Sequence, residues 1–185
     1  MTMNTINPYD NDGLQQLVEL LENTHYNTVL VLSEQAKKQA ARLHELEVRQ
    51  ATSQYVTMCN RLIDQIQTHI KSKKESFLPY LRSLFEKEEK DHDCRNCNGT
   101  GACSLQHEMH LGELKHSLIR LKDIINSIQM VALPLYSDTI YPDAYRILRN
   151  QMALLENSLT ELYFFEETNL LPKVAEAQKN IHARS

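Results

Sequence analysis

Three polar side chains, His69, Lys73 and Glu166, fall in phase with the apolar residues of predicted helices. The apolar residues that precede them at intervals of three or four positions are Tyr55, Cys59, Leu62, Ile66, Leu155, Leu159 and Leu162. Such intervals place side chains on one face of an α-helix. Because a buried polar group costs free energy unless it meets a partner, the spacing predicts a layer of interacting polar groups inside a helical protein.

Histidines on two further helices can join this layer. His25 is in phase with the apolar residues of the first predicted helix, and His107, flanked by His110, is in phase with those of the third. Imidazole nitrogens and a carboxylate on facing helices can form a metal site in a bundle core, and iron, zinc, copper and nickel accept such ligands. The candidate ligands are His25, His69, Glu166 and one of His107 and His110. The alternative is that each histidine is a core residue hydrogen-bonded to its neighbours.

A second group of candidate ligands lies in the only Gly-rich segment of the chain. Cys94, Cys97, Cys103 and His107 form the pattern C-x2-C-x5-C-x3-H, which can supply four ligands to a tetrahedral zinc ion. A redox-active dithiol is the rival interpretation of the CxxC pair, and three ordinary thiols are the third. Cys59, by contrast, lies on an apolar stripe and is expected to be a buried, unreactive thiol.

Four long amphipathic helices are predicted to position these residues. The first begins at Leu14, and a turn within 47–53 leads to the second, which is expected to continue or restart after Pro79. The third carries the apolar stripe from Leu111 to Ile128, and the fourth extends to about Gln178. Long helices with modest connections favour an all-α, antiparallel up-down-up-down four-helix bundle.

The expected domain organisation is a single bundle with short extensions. Residues 1–12 form an N-terminal arm, 13–179 form the bundle with the Cys-rich loop at 91–103, and 180–185 form a tail. Surplus apolar positions on the long helices could support a homodimer. No phosphate-binding loop or nucleophilic triad is present, so the sequence does not predict an enzyme.

Composition narrows the possible partners and the location. The 185 residues carry a net charge of −4 with both signs mixed along the chain, so neither nucleic acid nor an anionic membrane is an expected partner. No apolar run approaches the roughly 18–20 residues needed to span a bilayer, and residues 1–12 lack the apolar core of a signal peptide. A cytoplasmic location is therefore expected, which argues against structural disulfides.

From about residue 14 to residue 178, the sequence resembles the hemerythrin-like cation-binding domain, and most closely the repair-of-iron-centres proteins. In this resemblance, the second-helix signature of the family falls on His69, Lys73 and Leu78-Pro79, and the last signature falls on Leu162, Glu166 and Pro172. The resemblance implies a four-helix bundle with a non-haem di-iron site. It also implies a role in nitrosative or oxidative stress, in which iron–sulfur centres of partner proteins are protected or rebuilt.

Two residues depart from the family pattern. Lys73 stands where a bridging glutamate is expected, and Leu162 stands where a histidine is expected. Leucine has no donor atom and lysine is normally a cation, so the site is expected to hold one iron or none. We expect the Lys73 ammonium to pair with Glu166 in place of the lost metal, because a buried charge must be paired or neutralised. The alternative function is a metal-free structural or interaction bundle with a zinc-binding or redox cysteine loop.

Overall fold

The computed structural model describes residues 9, 13–46, 50–90, 92, 102–132 and 143–183. These residues form four helices and no strand, which confirms the predicted all-α class. The Cys-rich loop is not among them: Cys94 and Cys97 lie outside the described residues, as does the side chain of Cys103. The zinc and redox interpretations of that loop therefore stay predictions.

Three of the four helices contain a π-helical segment between two α-helical ones. Helix α1 consists of Leu14–Leu20, the π-helical Leu21–Tyr26, and Asn27–Leu46. Helix α2 consists of Gln50–Ser72, the π-helical Lys73–Phe77, and Leu78–Glu89. Helix α3 is Ala102–Ala132, and helix α4 consists of Asp143–Phe165, the π-helical Glu166–Leu170, and Leu171–Ala183.

Two of the π-helical segments end two residues before a proline. In each, the amide before the proline donates to a carbonyl five residues earlier: Leu78 N–H to Lys73, and Leu171 N–H to Glu166. Proline has no N–H and its ring clashes with the carbonyl four residues earlier in a regular α-helix, and a wider turn relieves that conflict. The second helix therefore continues through Pro79, one of the two outcomes that the sequence predicts.

The π-helical segment of α1 changes which residue faces the core. Leu17 and Leu21 are fully buried, but the next fully buried side chain is Tyr26, five positions on, and not His25. From Tyr26 the buried positions continue at helical intervals through Val29 and Ser33. The prediction that His25 lies on the buried stripe of a regular helix is corrected by this shift, since a π-helical turn holds an extra residue.

Side-chain hydrogen bonds connect neighbouring helices in a regular order. Lys37 and Glu34 of α1 bond to Asp64 and Gln67 of α2, at 2.8 and 2.6 Å.

The apolar core between the helices continues to Ile181 near the end of α4, which is 1% exposed. Helix α4 thus extends beyond Gln178, because its last turn still buries an apolar side chain. No helix among the described residues carries an apolar segment long enough to cross a bilayer.

Candidate functional site

Glu166 is the centre of a buried polar layer shared by three helices. The Lys73 ammonium of α2 donates to Glu166 Oε2, and the Tyr26 hydroxyl of α1 donates to Oε1 at 3.0 Å. Glu166 and Tyr26 are 0% exposed and Lys73 is 6% exposed. Lys73 and Glu166 each begin a π-helical segment, and Tyr26 ends the third, so all three wide turns meet at this layer. Both carboxylate oxygens of Glu166 are therefore occupied by donors from this chain.

Burial and charge set the protonation behaviour of this layer. Burial raises the pKa of Tyr26 well above its ordinary value, and the Glu166 carboxylate raises it further, so the phenol is a permanent hydrogen-bond donor. Burial lowers the pKa of Lys73, an effect that the Glu166 carboxylate opposes. The Lys73 ammonium also lies 5.8 Å from the centre of the Phe77 ring, within cation–π range.

His25 and His69 flank the layer without bonding to Glu166. The His25 ring packs against Phe165 at a tilt of 33°, with ring centroids 4.4 Å apart, and its buried Nε2 has no hydrogen-bond partner in the part of the chain that the structure describes. His69 Nε2 lies 3.3 Å from the Ser117 hydroxyl of α3. Burial, followed by the charges of Lys73 and Arg120, lowers the pKa of His69 to about 3. The His69 imidazole is therefore neutral at physiological pH.

His107 belongs to a different tier of the core. Its Nδ1 lies 3.0 Å from the Tyr80 hydroxyl, and Gln178 Nε2 donates both to that hydroxyl at 2.7 Å and to the His107 carbonyl at 3.1 Å. Tyr80 follows Lys73 by seven positions on α2, which is roughly 10 Å at about 1.5 Å per residue. The prediction that His107 faces inward is confirmed by its 1% exposure.

His110 lies beside this second tier. Its ring stacks on Tyr80 with centroids 4.0 Å apart, and its Nδ1 lies 2.9 Å from Glu113. The second tier therefore holds both candidate histidines of α3, His107 and His110, and the layer around Glu166 holds neither. Instead, α3 contributes Ser117 next to that layer.

The residues of the layer do not fit a di-iron centre. Among the described residues, no three His, Cys, Asp or Glu side chains are grouped closely enough to hold a metal ion. Glu166 already accepts from Lys73 and Tyr26, and Leu162 is fully buried with no donor atom. The unpaired Nε2 of His25 is a single potential metal ligand, and one ligand alone does not form a metal site. The predicted pairing of Lys73 with Glu166 is confirmed.

A groove of about 910 Å³ between α2 and α3 leads to the layer. Lys73, His69 and Ser117 form its inner part, and Arg61 and Arg120 line its sides. Its volume is in the range of small-molecule pockets in proteins. The groove is thus a route by which a ligand could approach the buried ion pair.

Comparisons with known proteins do not assign the chain to a family. No family model, curated protein or solved structure matches it. The layer around Glu166 and the groove beside it are therefore the observations from which a function can be inferred.

Three residues of these polar clusters were not among the candidates singled out from the sequence. Tyr26 is one position from the predicted His25 and faces inward only because of the π-helical turn. Ser117 falls one turn from Leu114 and Leu121 on the apolar stripe of α3, a signal by which it could have been found. Gln178 is in phase with Val174 and Ile181 and could have been found in the same way.

Proposed function

We propose that this chain is a metal-free bundle of the hemerythrin-like type, in which the Lys73–Glu166 ion pair holds the core together where a metal would do so in that family. It would act by binding other molecules and not by metal chemistry. The observation that carries the proposal is the double occupation of Glu166, whose two oxygens accept from Lys73 and Tyr26. Each oxygen of this carboxylate already accepts a hydrogen bond, one of them from a cation, so Glu166 is poorly placed to bridge two metal ions.

The up-down-up-down topology is part of this proposal. It is supported by pairs of bonded residues whose numbers run in opposite directions on neighbouring helices. Between α2 and α3 the pairs are His69–Ser117 and Tyr80–His107. Between α3 and α4 they are His107–Gln178 and Gln129–Glu156.

The positive charge of Lys73 is the reason why such a core can be stable without a metal ion. In the hemerythrin-like pattern a cationic metal neutralises the buried carboxylates, and here an ammonium supplies the positive charge for the one carboxylate that remains. Buried charges are tolerated only when they are paired and their remaining hydrogen-bonding capacity is used. The Tyr26 hydroxyl satisfies the second oxygen of Glu166.

The experiment is a metal analysis of the wild-type protein and of the Lys73→Glu/Leu162→His double variant, both purified from iron-replete cells without chelator. The wild-type protein should contain no stoichiometric iron, and the double variant should gain iron, because it restores the two family ligands. The control is Lys71→Glu/Leu154→His, which makes the same two changes at exposed positions. Two irons per wild-type chain would overturn the proposal and restore the iron-centre repair function that the resemblance implies, and a double variant without iron would overturn the assigned relationship.

A zinc ion in the Cys-rich loop is a separate part of the proposed binding function and rests on the spacing of Cys94, Cys97 and Cys103 alone, because His107, the fourth residue of the pattern, is buried with its Nδ1 against Tyr80. One zinc per chain should be found in the wild-type protein and lost on Cys97→Ser. Full retention of zinc in that variant would exclude the loop as the zinc site, and a wild-type protein without zinc would favour the redox or ordinary-thiol interpretations.

A further inference from the structure

We infer that the groove between α2 and α3 is a binding site for a small organic molecule carrying a carboxylate or phosphate group, which contacts Arg120 with its anionic end. This inference does not depend on whether the core binds metal. It goes beyond the metal-free bundle proposed above, because it assigns a ligand class to a part of the surface that the ion pair alone does not explain.

The inner part of the groove offers hydrogen-bond donors and positive charge. Lys73 and Ser117 are 6% and 5% exposed, yet both line the groove. The charge of Arg120 reaches this inner part, since it contributes to lowering the pKa of both His69 and Lys73. A cation that makes it harder to protonate its neighbours makes it easier to place an anion there.

The two arginines of the groove have no counter-ion among the residues that the structure describes. Neither Arg61 nor Arg120 forms an ion pair within the part of the chain that the structure describes. Both are exposed, on facing helices, and line the same groove. Guanidinium groups in this situation are suited to carboxylate and phosphate, which they can bind through two parallel hydrogen bonds.

Two of the three acidic residues of the groove are already engaged. Asp64 accepts from Lys37 at 2.8 Å, and Glu113 lies 2.9 Å from His110 Nδ1. Asp123 is the third, and it lies three positions after Arg120 on α3 without forming an ion pair with a described residue. Its charge opposes an incoming anion, so it limits affinity and gives a test in the opposite direction from the arginines.

The size of the groove decides between a free ion and a larger ligand. A volume of about 910 Å³ far exceeds that of one phosphate or carboxylate group. Residues such as Phe77, Leu114 and Ile124 add apolar surface to its lining. A ligand that fills this space has an apolar or polar body attached to its anionic group, as is usual for pockets of this size.

The experiment measures binding to the full chain by calorimetry and by amide chemical shifts, with two matched pairs of probes: glucose 6-phosphate with glucose, and glutarate with glutaramide. The anionic member of at least one pair should bind and shift the amides around Arg120 and Ser117, and the neutral member should bind at least tenfold more weakly. Arg120→Gln should weaken binding roughly tenfold, as expected for loss of a charged hydrogen bond. Asp123→Asn should strengthen it.

The control is Arg42→Gln, which removes an exposed arginine on α1, outside the groove, and should leave binding unchanged. Binding of neither anionic probe at millimolar concentration would overturn the inference. Equal binding of charged and neutral probes, or Arg120→Gln and Arg42→Gln variants that bind equally well, would overturn it too. If iron is found in the core while these results hold, the proposed metal-free function fails and the groove assignment stands.

Discussion

Lys73 donates to Glu166 Oε2 across 93 positions of sequence, and each of the two residues begins a π-helical segment. In both cases the proline that follows lies six positions later, at Pro79 and Pro172. The two ends of this ion pair are thus placed by the same local device on different helices. Its strength can be measured because each partner can be removed alone or together with the other.

Replacing Lys73 by Met should destabilise the protein by about 3–5 kcal/mol, because the Glu166 carboxylate would remain buried without its cation. The double variant Lys73→Met/Glu166→Leu should recover most of this loss, since apolar pairs of similar volume often replace buried ion pairs without cost. Urea unfolding followed by circular dichroism measures both. A double variant less stable than Lys73→Met would show that the two residues are not coupled as the structure indicates.

Replacing Tyr26 by Phe should cost about 1.5–3 kcal/mol, because it leaves Glu166 Oε1 buried without its donor at 3.0 Å. The matched control is Tyr163→Phe. Tyr163 donates to Glu167 at 2.8 Å on the surface, and its loss should change stability by no more than about 0.5 kcal/mol. The same urea titration compares the two, and equal effects would contradict a central role for Tyr26.

The stability of the protein should fall with acid because of His69. Burial and the charges of Lys73 and Arg120 lower the pKa of the folded imidazole to about 3, while the unfolded chain binds a proton near pH 6.5. Between these values the unfolded state holds more protons, so the free energy of unfolding decreases as the pH falls. Between pH 7 and pH 5, the free energy of unfolding of the His69→Gln variant should fall by about 1–2 kcal/mol less than that of the wild type.

His116→Gln is the control for this pH dependence. His116 is exposed and its Nδ1 lies 2.9 Å from the Gly112 carbonyl; a His116→Gln variant whose pH slope changes as much as that of His69→Gln would contradict the assignment to His69. The ring proton shifts of His69 provide an independent check. An imidazole that titrates near pH 6.5 in the folded protein would contradict the structure.

Cys59 should resist thiol reagents in the folded protein. Burial raises its pKa to about 12, and the side chain is 0% exposed, so almost no thiolate is available at pH 8. In a variant with Cys94, Cys97 and Cys103 replaced by Ser, Ellman's reagent should find no reactive thiol until denaturant is added. Stoichiometric reaction under native conditions would show that this part of α2 opens readily.

The sequence predicted the ion pair and a buried polar layer, but not the other residues that complete this layer. Lys73 and Glu166 could be matched because both are in phase with apolar residues and equally spaced from a proline, and local pattern suffices for that. His25 was assigned to the buried stripe under a regular period of 3.6 residues, and the π-helical turn over Leu21–Tyr26 gives the inward place to Tyr26. Periodicity cannot show such a turn when no proline marks it.

The tier of each residue was harder to predict than its face. His107 was correctly placed on the inner face of α3, but its height depends on where α2 ends, and no Gly or Pro near the end of α2 marks that point. The structure extends α2 to Glu89, which sets Tyr80 opposite His107 and Ser117 opposite His69. The number of helices and their apolar faces follow from composition and period, whereas their relative heights depend on tertiary packing.

The π-helical turns link the buried ion pair to backbone amides whose hydrogen exchange can be measured. A π-helical turn uses hydrogen bonds that span five residues, and in α2 and α4 such bonds join the Leu78 and Leu171 amides to the carbonyls of Lys73 and Glu166. The π-helical segments of α1, α2 and α4 meet at the Lys73–Glu166 ion pair. Slow hydrogen exchange at the Leu78 and Leu171 amides would therefore report an intact pair, and any ligand that draws the ammonium towards the groove should speed up exchange at both amides together.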